Sequence, residues 1–159
     1  LNRIISEHEG DFDAHQINCT YYAALDCDDD AYLAARAIQF FAPGVPQVNY
    51  VGLLAGENDY DGVMRTGEGR AINRGNYSVT EVEAALQKPV VQRLLKLIRF
   101  RNDHPAFGGE LEVPDSGNSE LRLEWRNGSQ SCCLRVDLQT MQSTIEFTTP
   151  SGEMNTFQV

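Results

Sequence analysis

Basic residues are in short supply: 13 lysines and arginines face 23 aspartates and glutamates, for a net charge of −10 and a pI near 4.6. That balance excludes a phosphate-backbone binder, whose counterion release needs a lysine- and arginine-rich face. Apolar runs are short, and none approaches the roughly eighteen residues of a membrane-spanning helix. The stretch Leu1-Asn2-Arg3-Ile4-Ile5-Ser6 lacks an initiator Met and the shape of a signal peptide. It is read as a start within a longer protein. Cysteine is too sparse for a disulfide framework: Cys132 and Cys133 are adjacent, and Cys19 and Cys27 lack companions at metal-type spacing. With His8, His15 and His104 scattered, no zinc site is expected, and nothing calls for another metal or a cofactor. Free thiols suit a reducing compartment and predict a cytoplasmic protein. Cys133 reads as a small hydrophobe. A glycine-rich phosphate loop with its lysine, a G-x-S-x-G turn, internal repeats and low-complexity tracts are all missing.

What remains is ordinary globular material, 159 residues with 42% hydrophobic and 23% charged, enough for one domain or two small ones. Residues 1–27 are polar and aperiodic, a long loop leading into structure. Leu33, Ala37, Ile38 and Phe41 recur at helical spacing behind Asp28-Asp29-Asp30, an acidic start that suits the positive end of the dipole. Pro43-Gly44 stops that helix, and Val45–Val51 is then expected as a strand of a parallel α/β unit. Gly52–Asn76 is long, polar and glycine-rich, and a loop of that size in a compact domain usually carries function. Ser78-Val79-Thr80-Glu81 is a capping box, and Pro89 restarts or kinks the helix that follows. Val91, Leu94, Leu95 and Ile98 form its apolar stripe, with Arg93, Lys96 and Arg99 on the wet side. After His104-Pro105 the period changes to two, in Leu111–Val113, Leu121–Trp125, Leu134–Leu138 and Thr144–Phe147, with Asn127-Gly128 as a hairpin signal. The fold class predicted is α/β plus β: an incomplete α/β portion, then a small antiparallel β-domain. One or two αβ units cannot close a sheet, so the helical stripes are expected to lack cover within this chain.

Two stretches invite a chemical reading. Phe12–Asn18 packs an acid, an imidazole and two amides into one loop, groups able to share the hydroxyls of a polyol or simply to bond one another. Arg70, in Gly67-Glu68-Gly69-Arg70-Ala71-Ile72-Asn73-Arg74, is flanked by a glycine that lets the backbone bring a guanidinium fork into a cleft; the plain alternative is a surface arginine. Asp28-Asp29-Asp30 reads as a solvated helix start and Asp59-Tyr60-Asp61 as loop surface.

In order along the chain, Gln16–Tyr22, Ala35–Val48, Tyr50–Asp59, Gly69-Arg70, Ile72–Arg74 and Lys88–Val91 resemble the C-terminal third of sucrose phosphorylases, members of the α-amylase superfamily of glycoside hydrolases. The likeness is close over residues 11–108 and loose over the β-module. It implies a (β/α)8 barrel with inserted B-type domains and a C-terminal β-domain. On that pattern, residues 1–26 are the end of an inserted subdomain, 27–106 the last helix–strand–helix portion of the barrel, and 107–159 the C-terminal antiparallel domain.

The implied reaction is retaining phosphorolysis, in which an α-glucoside and inorganic phosphate give glucose 1-phosphate and a free acceptor. The resemblance places the nucleophile, the acid/base and a third catalytic acid before residue 1, so no catalytic residue is assigned here. It assigns glucose binding to Arg70, and puts Asp13, His15 and Gln16 on the loop lining the acceptor and phosphate side. His15 stands where sucrose-specific members carry Tyr, which opens the choice of acceptor, including fructose 6-phosphate. Ala71, Gly75 and Asn49 also depart from the usual acid, His and Tyr. The implied partners are a small-molecule glucoside, inorganic phosphate and the N-terminal barrel segment of the same protein, with no nucleic acid and no membrane. The other reading is a non-catalytic remnant that binds carbohydrate or serves structure alone.

Overall fold

Aspartates open the first long helix. In the computed structural model, which describes residues 18–159, helix α1 (Asp29–Phe41) carries Asp29 and Asp30 in its first turn, against the positive end of the dipole. Tyr32, Leu33, Ala37, Phe40 and Phe41 bury one face of it. Short elements follow: α2 (Tyr50–Leu53), α3 (Tyr60–Thr66), a 3-10 turn at Gly69–Asn73 and α4 (Val79–Ala85). The long helix α5 (Pro89–Asp103) begins on its proline, where the missing N–H costs nothing, and a 3-10 turn at Pro105–Gly108 leads into the strands.

Five strands, β1 (Glu110–Glu112), β2 (Glu120–Asn127), β3 (Gln130–Asp137), β4 (Ser143–Thr148) and β5 (Met154–Gln158), pair in chain order, every neighbour antiparallel. The four expected strands are all present; β5, whose sequence Met-Asn-Thr-Phe-Gln shows no apolar alternation, was not expected from pattern. Asn127 pairs with Gln130, so the two-residue turn is Gly128-Ser129 rather than Asn127-Gly128. Gly128 takes φ +58° at the first loop position, the place where a II′ hairpin turn favours glycine.

Packing divides the chain into two compact units: residues 18–28 with Val48–Lys88, and Asp29–Gln47 with Pro89–Val159. In the second unit α1 and α5 lie with the sheet. Leu123, Trp125, Cys132, Leu134, Val136 and Ile145 form the buried face of the strands, and Val91, Leu94 and Leu97 that of α5. Phe100 of α5 stacks edge-on to Phe147 and Phe157, with ring centroids 5.2 Å and 5.3 Å away. The Trp125 indole N–H donates to the carbonyl of Phe41 at 2.7 Å, satisfying one of the orphan acceptors at the end of α1. The other sheet face is polar, with Arg135 and Glu146 paired at 3.3 Å. His104 links helix to sheet: its Nδ1 accepts the Ala106 N–H at 3.3 Å and its Nε2 lies 3.0 Å from the Thr148 carbonyl.

Three expectations are corrected. Val45–Val51 is not a strand: no described residue pairs with it, Pro46 removes a donor, and Asn49 ends the extended stretch by capping α2, its Oδ1 accepting the Gly52 N–H at 2.7 Å. All strand pairs among the described residues are antiparallel. Gly52–Asn76 is not a structureless loop, because it holds α3 and the Gly69–Asn73 turn. The helical stripes are not left bare either, since Leu33, Phe41, Val91 and Leu94 are fully buried. The fold is thus a helical part plus a five-stranded antiparallel sheet.

Candidate functional site

Arg70 sits in the first of the two units, in the middle of a turn that is fastened on both sides. Ile72 is buried, and its carbonyl accepts the Asp59 N–H at 2.8 Å. Asp59 also caps α3, its Oδ1 accepting the Gly62 N–H at 2.7 Å. The backbone on either side of Arg70 closes tight turns, Ala71 N–H donating to the Glu68 carbonyl at 3.0 Å and Arg74 N–H to the Ala71 carbonyl at 3.1 Å. The Arg70 side chain itself is exposed and makes no hydrogen bond or ion pair with the described residues. A guanidinium on a held backbone, its donors engaged by none of the described residues, is suited to hydroxyl pairs or an anion.

Around this turn lie Asn18, Cys19, Thr20, Asn58 and Asn73. Asn58 Oδ1 accepts the Thr20 N–H at 2.8 Å, and its Nδ2 donates to the Tyr60 hydroxyl at 3.2 Å. Asn73 Nδ2 donates to the Cys19 carbonyl at 3.4 Å. Tyr50 and Tyr77 meet edge to face at 6.2 Å, and burial, then Tyr50 and Asp59, push the Tyr77 phenol above its ordinary range. Asp13, His15 and Gln16 lie outside the described residues, so of the expected site residues Arg70 alone is placed.

The four cysteines sit in settings that hold their thiols protonated. Burial raises the thiols of Cys19 and, with help from Glu57 and Asp26, Cys27; it pushes Cys132 up to about 12 and raises Cys133. A thiol held protonated is a poor nucleophile. Among the described residues no group of three or more His, Cys, Asp and Glu side chains could hold a metal ion. Asp30 is occupied by Arg93 at 2.8 Å and by the Gln142 amide at 2.7 Å. Asp59 and Asp61, read from sequence as loop surface, instead form the cap and first turn of α3. Sequence reasoning passed over Asn58 and Asn73. The usable signal was an Asn-Asp pair directly before a helix start, a pattern in which Asp59 fits the cap and frees Asn58 for another segment.

No family model matches the chain. It is 60% identical over 145 residues to the sucrose 6(F)-phosphate phosphorylase of Thermoanaerobacterium thermosaccharolyticum, a match that covers 91% of this chain and 30% of that protein. The glucosylglycerol phosphorylase of Marinobacter adhaerens is 53% identical over 134 residues, covering 84% of this chain and 28% of its own length. The sucrose phosphorylase of Bifidobacterium adolescentis is 45% identical over 125 residues, at 79% and 25% coverage. The chain therefore spans at most about 30% of the length of these relatives. Among solved structures, sucrose 6F-phosphate phosphorylase from Thermoanaerobacter thermosaccharolyticum superposes with a TM-score of 0.90 at 58% identity, covering 91% of this chain and 29% of that one. A cyclic α-maltosyl-(1→6)-maltose hydrolase from Arthrobacter globiformis, 16% identical with a TM-score of 0.63, shares the fold alone.

Proposed function

Because the chain belongs to the sucrose phosphorylase family, over a stretch equal to about 30% of a relative's length, we propose that it works as the C-terminal segment of a retaining glucosyl-transferring phosphorylase. The reaction proposed takes an α-glucoside and inorganic phosphate to glucose 1-phosphate and the free acceptor. A carboxylate attacks the anomeric carbon while a glutamic acid protonates the departing glycosidic oxygen. A phosphate oxygen then displaces the carboxylate, with the proton returning to the acid/base. Both carboxyl groups are proposed to come from the rest of the polypeptide, and residues 27–106 to complete a (β/α)8 barrel there, between an inserted subdomain ending at 26 and a β-domain at 107–159. The segment's own contribution is binding: Arg70 to the glucosyl unit, and Asp13, His15 and Gln16 to the acceptor and phosphate.

The observation that carries the reading is the exposed guanidinium of Arg70 on a turn whose backbone is fixed by Asp59 and Ile72. A backbone already held in place spares the ordering cost of the turn, leaving only the arginine side chain to be fixed when it meets a substrate hydroxyl. Arg70→Ala in the full-length enzyme removes a charge-assisted hydrogen bond worth about 1.5–3 kcal/mol. Steady-state phosphorolysis should then show kcat/KM down roughly ten- to a hundredfold for every glucosyl donor tried. An unchanged kcat/KM returns Arg70 to the surface.

His15 favours an acceptor with a negative group, fructose 6-phosphate being the acceptor proposed. An imidazole can carry charge near neutral pH and a phenol cannot. The activity for which the sucrose 6(F)-phosphate relative is named supports that choice, and the glucosylglycerol relative is a reminder that acceptors vary within the family. The setting proposed is the cytoplasm; no helix among the described residues is long and apolar enough to cross a membrane.

A further inference from the structure

Three contacts join residues 18–20 to the loop that bears Arg70, and two of them fall on either side of that arginine. On one side, a Cβ added to Gly69 would lie 2.8 Å from the Asn18 amide nitrogen, so the Asn18 side chain rests directly on the backbone before Arg70. On the other, Asn73 donates to the Cys19 carbonyl at 3.4 Å. Residues 18 and 19 thus lie against both ends of the turn.

What holds residues 18–20 there is the third contact. Thr20 is almost completely buried, and its N–H donates to Asn58 Oδ1 at 2.8 Å. A buried backbone donor must find a partner, and no helix or strand supplies one at this position. The Asn58 side chain also donates to the Tyr60 hydroxyl at 3.2 Å. The next residue, Asp59, grips the Ile72 carbonyl from the same loop. One dipeptide therefore ties down the turn from below and the strap that flanks it.

We propose that Asn58 is a positioning residue for Arg70: by fixing residues 18–20 against Gly69 and Asn73, it sets the direction in which the guanidinium meets the glucosyl unit. Asparagine suits the task because one amide offers an acceptor for Thr20 and a donor for Tyr60. The proposal rests on the glucosyl-binding role given to Arg70 above.

The test uses the full-length enzyme and two readouts. Asn58→Ala should lower kcat/KM for glucosyl donors about tenfold, and the Arg70→Ala/Asn58→Ala double variant should be no slower than Arg70→Ala alone, since both act through one contact. Asn58→Asp keeps an acceptor for the Thr20 N–H and should recover most of the activity and the fold if the alanine variant is poorly behaved. Hydrogen exchange supplies the second readout: the Thr20 and Arg74 amides should exchange faster in Asn58→Ala and near the parent rate in Asn58→Asp. A double variant that loses activity additively, or unchanged exchange at Thr20 and Arg74, overturns the positioning role. If exchange responds as expected but Arg70→Ala leaves kcat/KM untouched, the anchor stands and the glucosyl-binding reading of Arg70 falls with the proposal built on it.

Discussion

At the scale of single residues, the placement of polar groups decides more than their identity. Trp125 is the lone tryptophan, and its indole N–H is spent on the Phe41 carbonyl at 2.7 Å, where a helix end would otherwise leave an acceptor buried without a partner. Trp125→Phe keeps most of the apolar bulk and removes that donor, so chemical denaturation should show a loss of about 1–3 kcal/mol; a midpoint equal to the parent's would mean that Phe41 finds another donor. The thiols should separate just as clearly. Cys27 is exposed, whereas Cys132 is buried and pushed up to about 12, so a disulfide reagent at neutral pH should label Cys27 first and Cys132 last. Equal rates on peptide mapping would contradict the burial. Cys133 was read as a small hydrophobe and is buried, but the alternation of β3 sets Cys132, not Cys133, on the face of Leu134 and Val136. Asn58 was legible only in part: the Asn-Asp pair before a helix start frees it from the cap, but no local pattern names its distant partner, the Thr20 amide.

Elements were readable wherever the signal was local. The capping box at Ser78 and Glu81 forms as its sequence demands, with the Ser78 N–H donating to Glu81 Oε2 at 2.7 Å. Helices α1 and α5 follow their apolar spacing, and four strands follow period two. Val45–Val51 misled because a short apolar run does not distinguish a strand from an extended connector; pairing decides, and here Gln39 takes the Gln47 carbonyl at 2.9 Å while Asn49 caps α2. The strand β5 was missed for the mirror reason: only Phe157 is even partly buried and an exposed Asn155 stands opposite Phe147, so pairing with β4 makes it a strand when pattern does not. The capping box also carries a pH dependence. Hydrogen bonds from Ser78, first through its backbone and then its side chain, hold the Glu81 carboxyl below the ordinary range. A carboxyl depressed on folding stabilises above its unfolded value and loses that contribution as pH falls through the folded one. The first turn of α4 should therefore fray as pH falls below the ordinary carboxylate range, seen as faster exchange at the Glu81 amide, and Ser78→Ala should show the frayed state already at neutral pH. A Glu81 amide indifferent to both changes would remove the box from the account.

For the whole molecule, the sequence marked a change of class at His104-Pro105, and the strands do begin just beyond it. The sequence could not show that α1, some seventy residues before the sheet, packs in the same compact unit as the sheet while Val48–Lys88 forms another. The periodicity of α1 says which face is buried and is silent about what covers it. The ten largest fully buried side chains settle where the cohesion lies, for Tyr32, Leu33, Phe41, Val91, Leu94, Leu97, Cys132, Leu134, Val136 and Ile145 all belong to the unit built from α1, α5 and the strands. Each such side chain contributes roughly 1.5–3 kcal/mol on burial, and segments rich in them open only with global unfolding, whereas elements of four to seven residues held by caps open locally. Native-state hydrogen exchange of the isolated chain should accordingly give α1 and α5 the same slow rates as β2 and β3, with α2, α3 and α4 exchanging well before them. A break at residue 104 instead, with α1 and α5 as fast as α3, would show that the helices need cover from outside this chain. The same preparation should release no glucose 1-phosphate from any α-glucoside and phosphate, because covalent glucosyl transfer requires the two carboxyl groups proposed to lie in the rest of the enzyme. Folded and inactive is thus the state expected of this segment alone, and phosphate-dependent release of glucose 1-phosphate by it would place the catalytic carboxylates among its own residues.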